Sequence, residues 1–163
     1  VGLRSAYVAS WHAAKMMVKQ GSGLIAFGSS FGATCYMHGP GYGAQKAGID
    51  KFAHDMGVDL EGTGVRTVSI WMGPLLTERA AIAAEVHKEQ YEEFHAVAET
   101  PQFTANILYA IASDPDGDDL SGRVLIGAEI AERYGLKDKG DKQPPSYRDA
   151  LGAPPLPNPA KVY

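Results

Sequence analysis

The chain lacks several features that would settle its function at once. Its 163 residues contain a single cysteine, Cys35, which excludes an internal disulfide and a cysteine-rich zinc site. Its formal net charge of −4 leaves no basic surplus for a nucleic-acid backbone. No apolar run approaches the roughly 20 residues that span a bilayer. These absences predict a soluble intracellular protein, cytoplasmic in setting, with no metal site, no nucleic-acid partner and no membrane span.

The apolar pattern that is present alternates between helix and strand. Apolar residues recur every three or four positions from Leu3 to Val18, which predicts a helix. The run Leu24–Phe27 is continuously apolar between glycines, which predicts a strand buried on both faces. The same rules predict, in order, a helix, a strand, two helices and a strand: Tyr42–Leu60, Val65–Trp71, about 78–95, 101–113 and Val124–Ile126. This order predicts an α/β fold, a doubly wound parallel sheet with helices on both faces.

The two ends of the chain differ from its middle. The sequence starts at Val1, inside a helical pattern, and three strands leave a thin sheet with an open edge, so we expect a preceding segment. From residue 137 onward the chain is polar and rich in proline. We therefore predict a folded portion over 1–136 and a tail over 137–163 that lies on the surface or is disordered.

Tyr42, Lys46 and Ser29 form the pattern with the most chemical meaning. Tyr42 and Lys46 are four residues apart near the start of a predicted helix, so their side chains share one face. An ammonium group beside a phenol favours the phenolate, which suits a tyrosine to proton transfer near neutral pH. Ser29 follows the first predicted strand, at the sheet edge where parallel sheets bind ligands. These three residues are the candidate catalytic group.

Three sequence blocks resemble the classical short-chain dehydrogenase/reductase family. The blocks are Gly23–Gly32, Tyr42–Gly48 and Gly64–Glu78, and their order and gaps match the family. The resemblance runs from residue 1 to about 136, and segments 1–7, 99–101 and 121–136 look most like one subgroup. It implies the carboxy-terminal catalytic portion of a Rossmann-type domain. It also implies an NAD(P)-dependent oxidoreductase that interconverts a carbonyl compound and a secondary alcohol.

The resemblance assigns roles to individual positions. It implies that Tyr42 is the general acid/base, that Lys46 holds the nicotinamide ribose, and that Ser29 orients the substrate carbonyl. Gly73, Pro74 and Thr77 correspond to the loop that contacts the nicotinamide, although Met72 stands where the family has proline. Ser30, His38 and Leu75 are further candidates for the substrate pocket.

The resemblance also leaves questions open. The family's opening strand and glycine-rich phosphate loop have no counterpart in these residues, so the choice between NAD and NADP stays open. The predicted helices over about 3–19 and 42–61 correspond to those through which family members commonly associate, which implies a homodimer or homotetramer. Substrate and subcellular localisation are not predicted beyond a small carbonyl or alcohol and an intracellular, cytoplasmic setting.

Two other readings of the sequence compete with this one. Gly28–Gly32 matches the G-x-S-x-G pattern of a serine hydrolase with Ser30 as nucleophile. A helix should follow that serine directly, and the late histidines His87 and His95 precede the last strand, so the pattern is incomplete. The second alternative is a non-catalytic remnant or oligomerisation module of the same family, which the lack of a phosphate loop favours.

Overall fold

The computed structural model describes residues 2–86 and 88–162, with the side chains of residues 83–91 and 93 outside that description. Within these ranges one parallel sheet has the order β1-β2-β3, built from Gly23–Ser29, Val65–Trp71 and Arg123–Ile126. The helices α1 to α7 are Gly2–Gln20, Pro40–Asp59, Glu78–Val86, Lys88–Val97, Pro101–Ser113, Gly127–Arg133 and Arg148–Leu151. No described helix is both long and apolar enough to cross a membrane.

Helices cover the sheet from both sides, which confirms the predicted α/β fold. On one face, α1 and α2 bury a cluster that includes Ile25, Phe27, Ile49 and Ala53. On the other face, α5 and α6 bury a second cluster: Val68, Ile70, Phe103, Ile107, Ile111, Leu120, Leu125, Ile130 and Ala131. Apolar residues at helical spacing on each helix meet alternating residues of the strands, so the core consists of two layers with the sheet between them.

Strand β1 departs from the prediction of burial on both faces. Ile25, Phe27 and Ser29 are buried, whereas Ala26 and Gly28 on the opposite face are exposed. The prediction was wrong because β1 is an edge strand of this sheet. The second cluster joins side chains of α5 to residues of β2 and β3, and Leu24 is the partly buried β1 residue that packs against it in the described part of the chain.

The register of the sheet brings the ends of all three strands together. Ser29 pairs with Trp71, and Trp71 pairs in turn with Ile126, so β1, β2 and β3 end at one level. The chain continues from these ends into the 3-10 turn Phe31–Ala33, the loop 72–77 and the helix α6. Loops at this edge of a parallel sheet form the usual ligand-binding crevice.

The segment after residue 136 packs against the body of the domain. Asp138 and Pro144 are buried, and the ring of Tyr147 lies 6.2 Å from the ring of Phe31. Further along, Lys161 forms an ion pair of 2.7 Å with Glu61, just beyond the end of α2. The first half of the segment therefore anchors on the strand-end loops, and the rest runs along α2.

Candidate active site at the carboxyl ends of the strands

Tyr42 lies at the carboxyl end of β1, in the first turn of α2. Its hydroxyl is 2.9 Å from Oγ of Ser30, and the two share a hydrogen bond that either can donate. The ring packs directly on Gly32, where an added Cβ would lie 2.6 Å from Cε1 of Tyr42. Real Cβ atoms do not approach so closely, so the glycine at this position is what lets the phenol reach the serine.

Lys46 follows Tyr42 by one helical turn and faces the same edge of the sheet. Its Nζ donates to the carbonyl oxygen of Gly28 at 3.1 Å and lies 5.4 Å from the centre of the Tyr42 ring. Ser29 is 2% exposed, and its hydroxyl donates to the carbonyl oxygen of Lys46 at 3.3 Å. The structure therefore brings Tyr42 and Lys46 together, and of the two adjacent serines it places Ser30 rather than Ser29 against the phenol.

A buried carboxylate, Asp50, lies beneath this cluster and was missed by sequence reasoning. It accepts a hydrogen bond of 2.6 Å from the hydroxyl of Ser69 and one of 2.9 Å from the indole Nε1 of Trp71. Burial raises the pKa of Asp50 above its usual value, while the hydrogen bonds from Ser69 and Trp71, the nearby hydroxyl of Ser29 and the charge of Lys46 oppose that rise. A signal existed in the sequence, because Asp50 stands one further turn along the helix face of Tyr42 and Lys46.

The loop 72–77 is held against the start of α5 by main-chain hydrogen bonds. The amide of Glu99 donates to the carbonyl of Pro74 at 2.8 Å, and the amide of Leu76 donates to the carbonyl of Glu99 at 2.9 Å. Thr77 accepts a hydrogen bond of 3.3 Å from the amide of Ala80 and thereby caps α3. Gly73, Pro74, Leu75 and Thr77 thus lie in one fixed turn directly after β2, all partly exposed.

Glu99 is the second buried acid that the sequence did not reveal. It is 2% exposed, and burial, with a smaller contribution from the charge of Asp138, raises its pKa from 4.5 to about 7. The backbone of Gly73 and the charge of Lys142 act in the opposite direction. The ring of Tyr147 packs over Gly73 from the other side, since an added Cβ there would lie 3.3 Å from Cε2 of the tyrosine.

The remaining candidates lie close to this edge or outside the description. His38 is exposed, has a left-handed backbone (φ 54°), and meets the Tyr42 ring edge-on at 5.1 Å between centres. Ser30 Oγ also accepts the amide of Gly32 at 3.2 Å, and no histidine is among its partners in the described part of the chain. His87, one of the two histidines considered for a hydrolase, lies outside the described residues. The described residues therefore place no histidine against Ser30 that could act as the general base of a serine hydrolase.

A parallel α/β sheet with a tyrosine, a lysine and a serine gathered at its strand ends defines a class, the Rossmann-type oxidoreductases. A sequence model described as short chain dehydrogenase matches residues 1–89. That match covers more than half of the chain, and the chain belongs to this family.

Proteins named dehydrogenase/reductase SDR family member 1 are similar to this chain. The human protein is 37% identical over 145 residues, which is 85% of this chain and 46% of the relative. The mouse protein is 38% identical over 146 residues, again 85% and 46%. This is the subgroup that the segments 1–7, 99–101 and 121–136 resemble. The chain spans about half the length of these curated relatives.

Solved structures show the same fold. A crystal structure of a putative NAD(P)-dependent gluconate 5-dehydrogenase from Beutenbergia cavernae, with NADP bound at low occupancy, superposes with a TM-score of 0.64 at 24% identity. The match covers 78% of this chain and 53% of that one. A hydroxysteroid dehydrogenase from Escherichia coli gives a TM-score of 0.61 at 23% identity, over 77% and 52%. At these identities the likeness concerns the fold.

Proposed function

We propose that this chain carries the proton-transfer site of an NAD(P)-dependent oxidoreductase that interconverts a carbonyl compound and a secondary alcohol. The observation that carries the proposal is the 2.9 Å contact between the hydroxyls of Tyr42 and Ser30, with Lys46 one helical turn away. A nicotinamide cofactor, when bound, supplies or accepts the hydride. The chain's own residues bind and orient the reacting oxygen and move its proton.

Tyr42 is the group that gives a proton to the carbonyl oxygen or takes it from the alcohol. Its hydroxyl already sits in a hydrogen bond, so a substrate oxygen that enters beside Ser30 meets two hydroxyl groups at once. Two serines compete for the role of orienting that oxygen, because spacing favours Ser29 and the observed contact favours Ser30. Ser29→Ala and Ser30→Ala, measured side by side, decide between them by which variant loses turnover.

The residues present fit a nicotinamide ribose. In the described part of the chain, Lys46 uses one of its three N–H donors, on the carbonyl of Gly28, which leaves two for ribose hydroxyls. The fixed turn with Gly73, Pro74 and Thr77 opens at the same edge of the sheet, where the nicotinamide end would lie. NADP in the similar structure from Beutenbergia cavernae makes NADPH the first cofactor to test, and NADH the second.

The proposal is tested with Tyr42→Phe in the full-length protein. Removing the hydroxyl deletes the proton donor and keeps the ring, so turnover should fall by about 10²- to 10⁴-fold with cofactor affinity nearly unchanged. Tyr109→Phe, a change at a 75%-exposed tyrosine on α5, is the matched control and should leave turnover unaltered. Retained turnover in Tyr42→Phe would refute the assignment, and no binding of NADH or NADPH in titration calorimetry would leave the non-catalytic reading.

We also propose that the protein forms a homodimer or homotetramer through α1. This helix exposes the large apolar side chains of Tyr7, Trp11 and Val18 on one side, and those of Val8 and Met16 elsewhere around it. Gly48 of α2 serves contacts inside the chain, since an added Cβ would lie 2.8 Å from Cδ1 of Leu3. Light scattering at micromolar concentration measures the mass, and a clean monomer would contradict association. Small carbonyl or alcohol substrates and an intracellular, cytoplasmic setting stay predictions.

A further inference from the structure

We infer that Asp50 is a positioning residue that ties the helix of Tyr42 and Lys46 to the strand that leads into the loop 72–77. The inference rests on the proposed function, because it concerns the alignment of the proton donor with the loop facing the nicotinamide. Asp50 touches neither of those two parts of the site directly. It acts through Trp71, the last residue of β2, and through its own place on α2.

A closed circuit of contacts runs around the site. Tyr42 OH meets Ser30 Oγ at 2.9 Å, and the next residue, Phe31, packs on Trp71 with ring centres 4.9 Å apart. The indole Nε1 of Trp71 then donates to Oδ2 of Asp50 at 2.9 Å. Asp50 and Tyr42 lie on the same helix, two turns of α2 apart, so the helix backbone completes the circuit. Every link joins residues that are buried or partly buried, so a shift in one link moves the next.

Trp71 and Ser69 are buried hydrogen-bond donors, and they require an acceptor at position 50. An indole N–H can only donate, and Trp71 is 0% exposed, so without Asp50 this buried donor would lack a partner, which destabilises the folded state. The hydroxyl of Ser69, two residues earlier on the same face of β2, donates to the other carboxyl oxygen at 2.6 Å. Both oxygens of Asp50 are therefore held by one strand, which fixes the rotation of α2 on the sheet.

Rotation of α2 matters because Tyr42 lies at its first turn, two turns away from the anchor. Reacting groups lose on the order of 10²-fold in rate for a displacement of about 1 Å. The hydrogen bond between the hydroxyls of Tyr42 and Ser30 is the contact at the reacting end of the circuit, so a helix released at Asp50 should change it. A buried aliphatic residue at position 50 would fill the same space and leave the helix unanchored to Trp71.

The experiment compares three variants of the full-length protein. Asp50→Leu removes both acceptors and keeps an apolar fit beside Ile49 and Ala53. Asp50→Asn retains an oxygen for the indole of Trp71, and its NH₂ can donate to Ser69, whose hydroxyl also accepts. Asp55→Asn changes an exposed aspartate on the same helix and is the matched control.

The first measurement needs no cofactor or substrate. NMR spectra record the indole N–H resonance of Trp71 and the ring resonances of Tyr42, with urea unfolding as a check of the fold. We expect Asp50→Leu to shift both sets of resonances, while Asp50→Asn and Asp55→Asn leave the Tyr42 ring close to the wild type. Unchanged Tyr42 resonances in a folded Asp50→Leu protein overturn the inference. If Asp50→Leu does not fold, Trp71→Phe, which deletes the N–H together with the five-membered part of the indole, takes its place with the same expectation, and Ser69→Ala, which removes the other hydrogen bond to Asp50 without touching the indole, is compared with it.

The second measurement is steady-state kinetics. Asp50→Leu should lower kcat at least about tenfold, which is about 1.4 kcal/mol of barrier, with KM for the carbonyl substrate within about threefold. Asp50→Asn should restore most of kcat. If Tyr42→Phe abolishes turnover while Asp50→Leu leaves it unchanged, the inference alone fails. If the wild type has no turnover but the resonances shift as expected, the proposed function fails and the positioning circuit stands.

Discussion

Ionisation of Glu99 should make the stability of this domain fall as the pH rises. The carboxyl group is 2% exposed, and its pKa is raised from 4.5 to about 7, first by burial and then by the charge of Asp138. A difference of that size between unfolded and folded chains corresponds to about 3 kcal/mol. The folded state binds the proton more tightly than the unfolded state, so this stability is complete below pH 4.5 and is lost as the pH rises through 7.

Urea unfolding at pH 5 and at pH 8 measures the effect by comparing the wild type with Glu99→Gln. The amide cannot ionise, so between pH 5 and pH 8 the free energy of unfolding of the variant should fall by about 2.5 kcal/mol less than that of the wild type. Lys142, Asp138 and Tyr147 face Glu99 and are present in both proteins. Glu132→Gln, at an exposed position of α6, is the control and should follow the wild type. Equal pH dependence in Glu99→Gln and the wild type would refute the reasoning.

Two further predictions concern the packing around the site. Gly32→Ala places a Cβ 2.6 Å from Cε1 of Tyr42, so the ring must move. We expect the free energy of unfolding in urea to fall by about 1–3 kcal/mol and turnover to be lower. Unaltered turnover would contradict this. Asp138→Ala removes the acceptor for the amide of Thr100 at 2.7 Å and for the Thr100 hydroxyl, and should lower the free energy of unfolding by about 1–3 kcal/mol. The control Asp149→Ala changes an exposed aspartate and should lower it little. Equal losses in the two variants would contradict the role of Asp138.

The strands and long helices could be predicted from the spacing of apolar residues, because buried positions recur at a regular interval along each of them. The predicted strand Val65–Trp71 has the bounds observed for β2, which is a central strand covered from both sides. The same rule overestimated the burial of β1, because a continuously apolar run does not reveal whether a strand is central or at an edge. Position in the sheet depends on the partners of a strand, and those are set by residues far along the chain.

The candidate site was predictable only where spacing alone decides the geometry. Tyr42 and Lys46 share a helix face because four residues make about one turn, and the structure shows them so. Ser29 and Ser30 are neighbours at a strand end, where successive side chains point to opposite faces. The two hydroxyls therefore reach different points of α2, one the carbonyl of Lys46 and the other the phenol of Tyr42, and the sequence does not say which. Asp50 and Glu99 depend on partners distant in the sequence.

The segment after residue 136 shows how composition can hide a structural contribution. Proline and polar residues predict an extended chain, because they offer little apolar area to bury. Here the anchoring is polar instead: Asp138 accepts from Thr100, 38 residues earlier, and Lys142 donates to the carbonyl of Ala98 at 2.7 Å. Hydrogen bonds of hydroxyl and amide groups to Asp138 hold its pKa below the usual value although burial alone would raise it, so the charged form stabilises this contact. These contacts of Asp138 and Lys142 lie on either side of Glu99, whose main chain is hydrogen-bonded to the loop 72–77. The segment after residue 136 has no apolar core of its own, yet it supports the strand-end edge of the sheet where we propose the proton-transfer site.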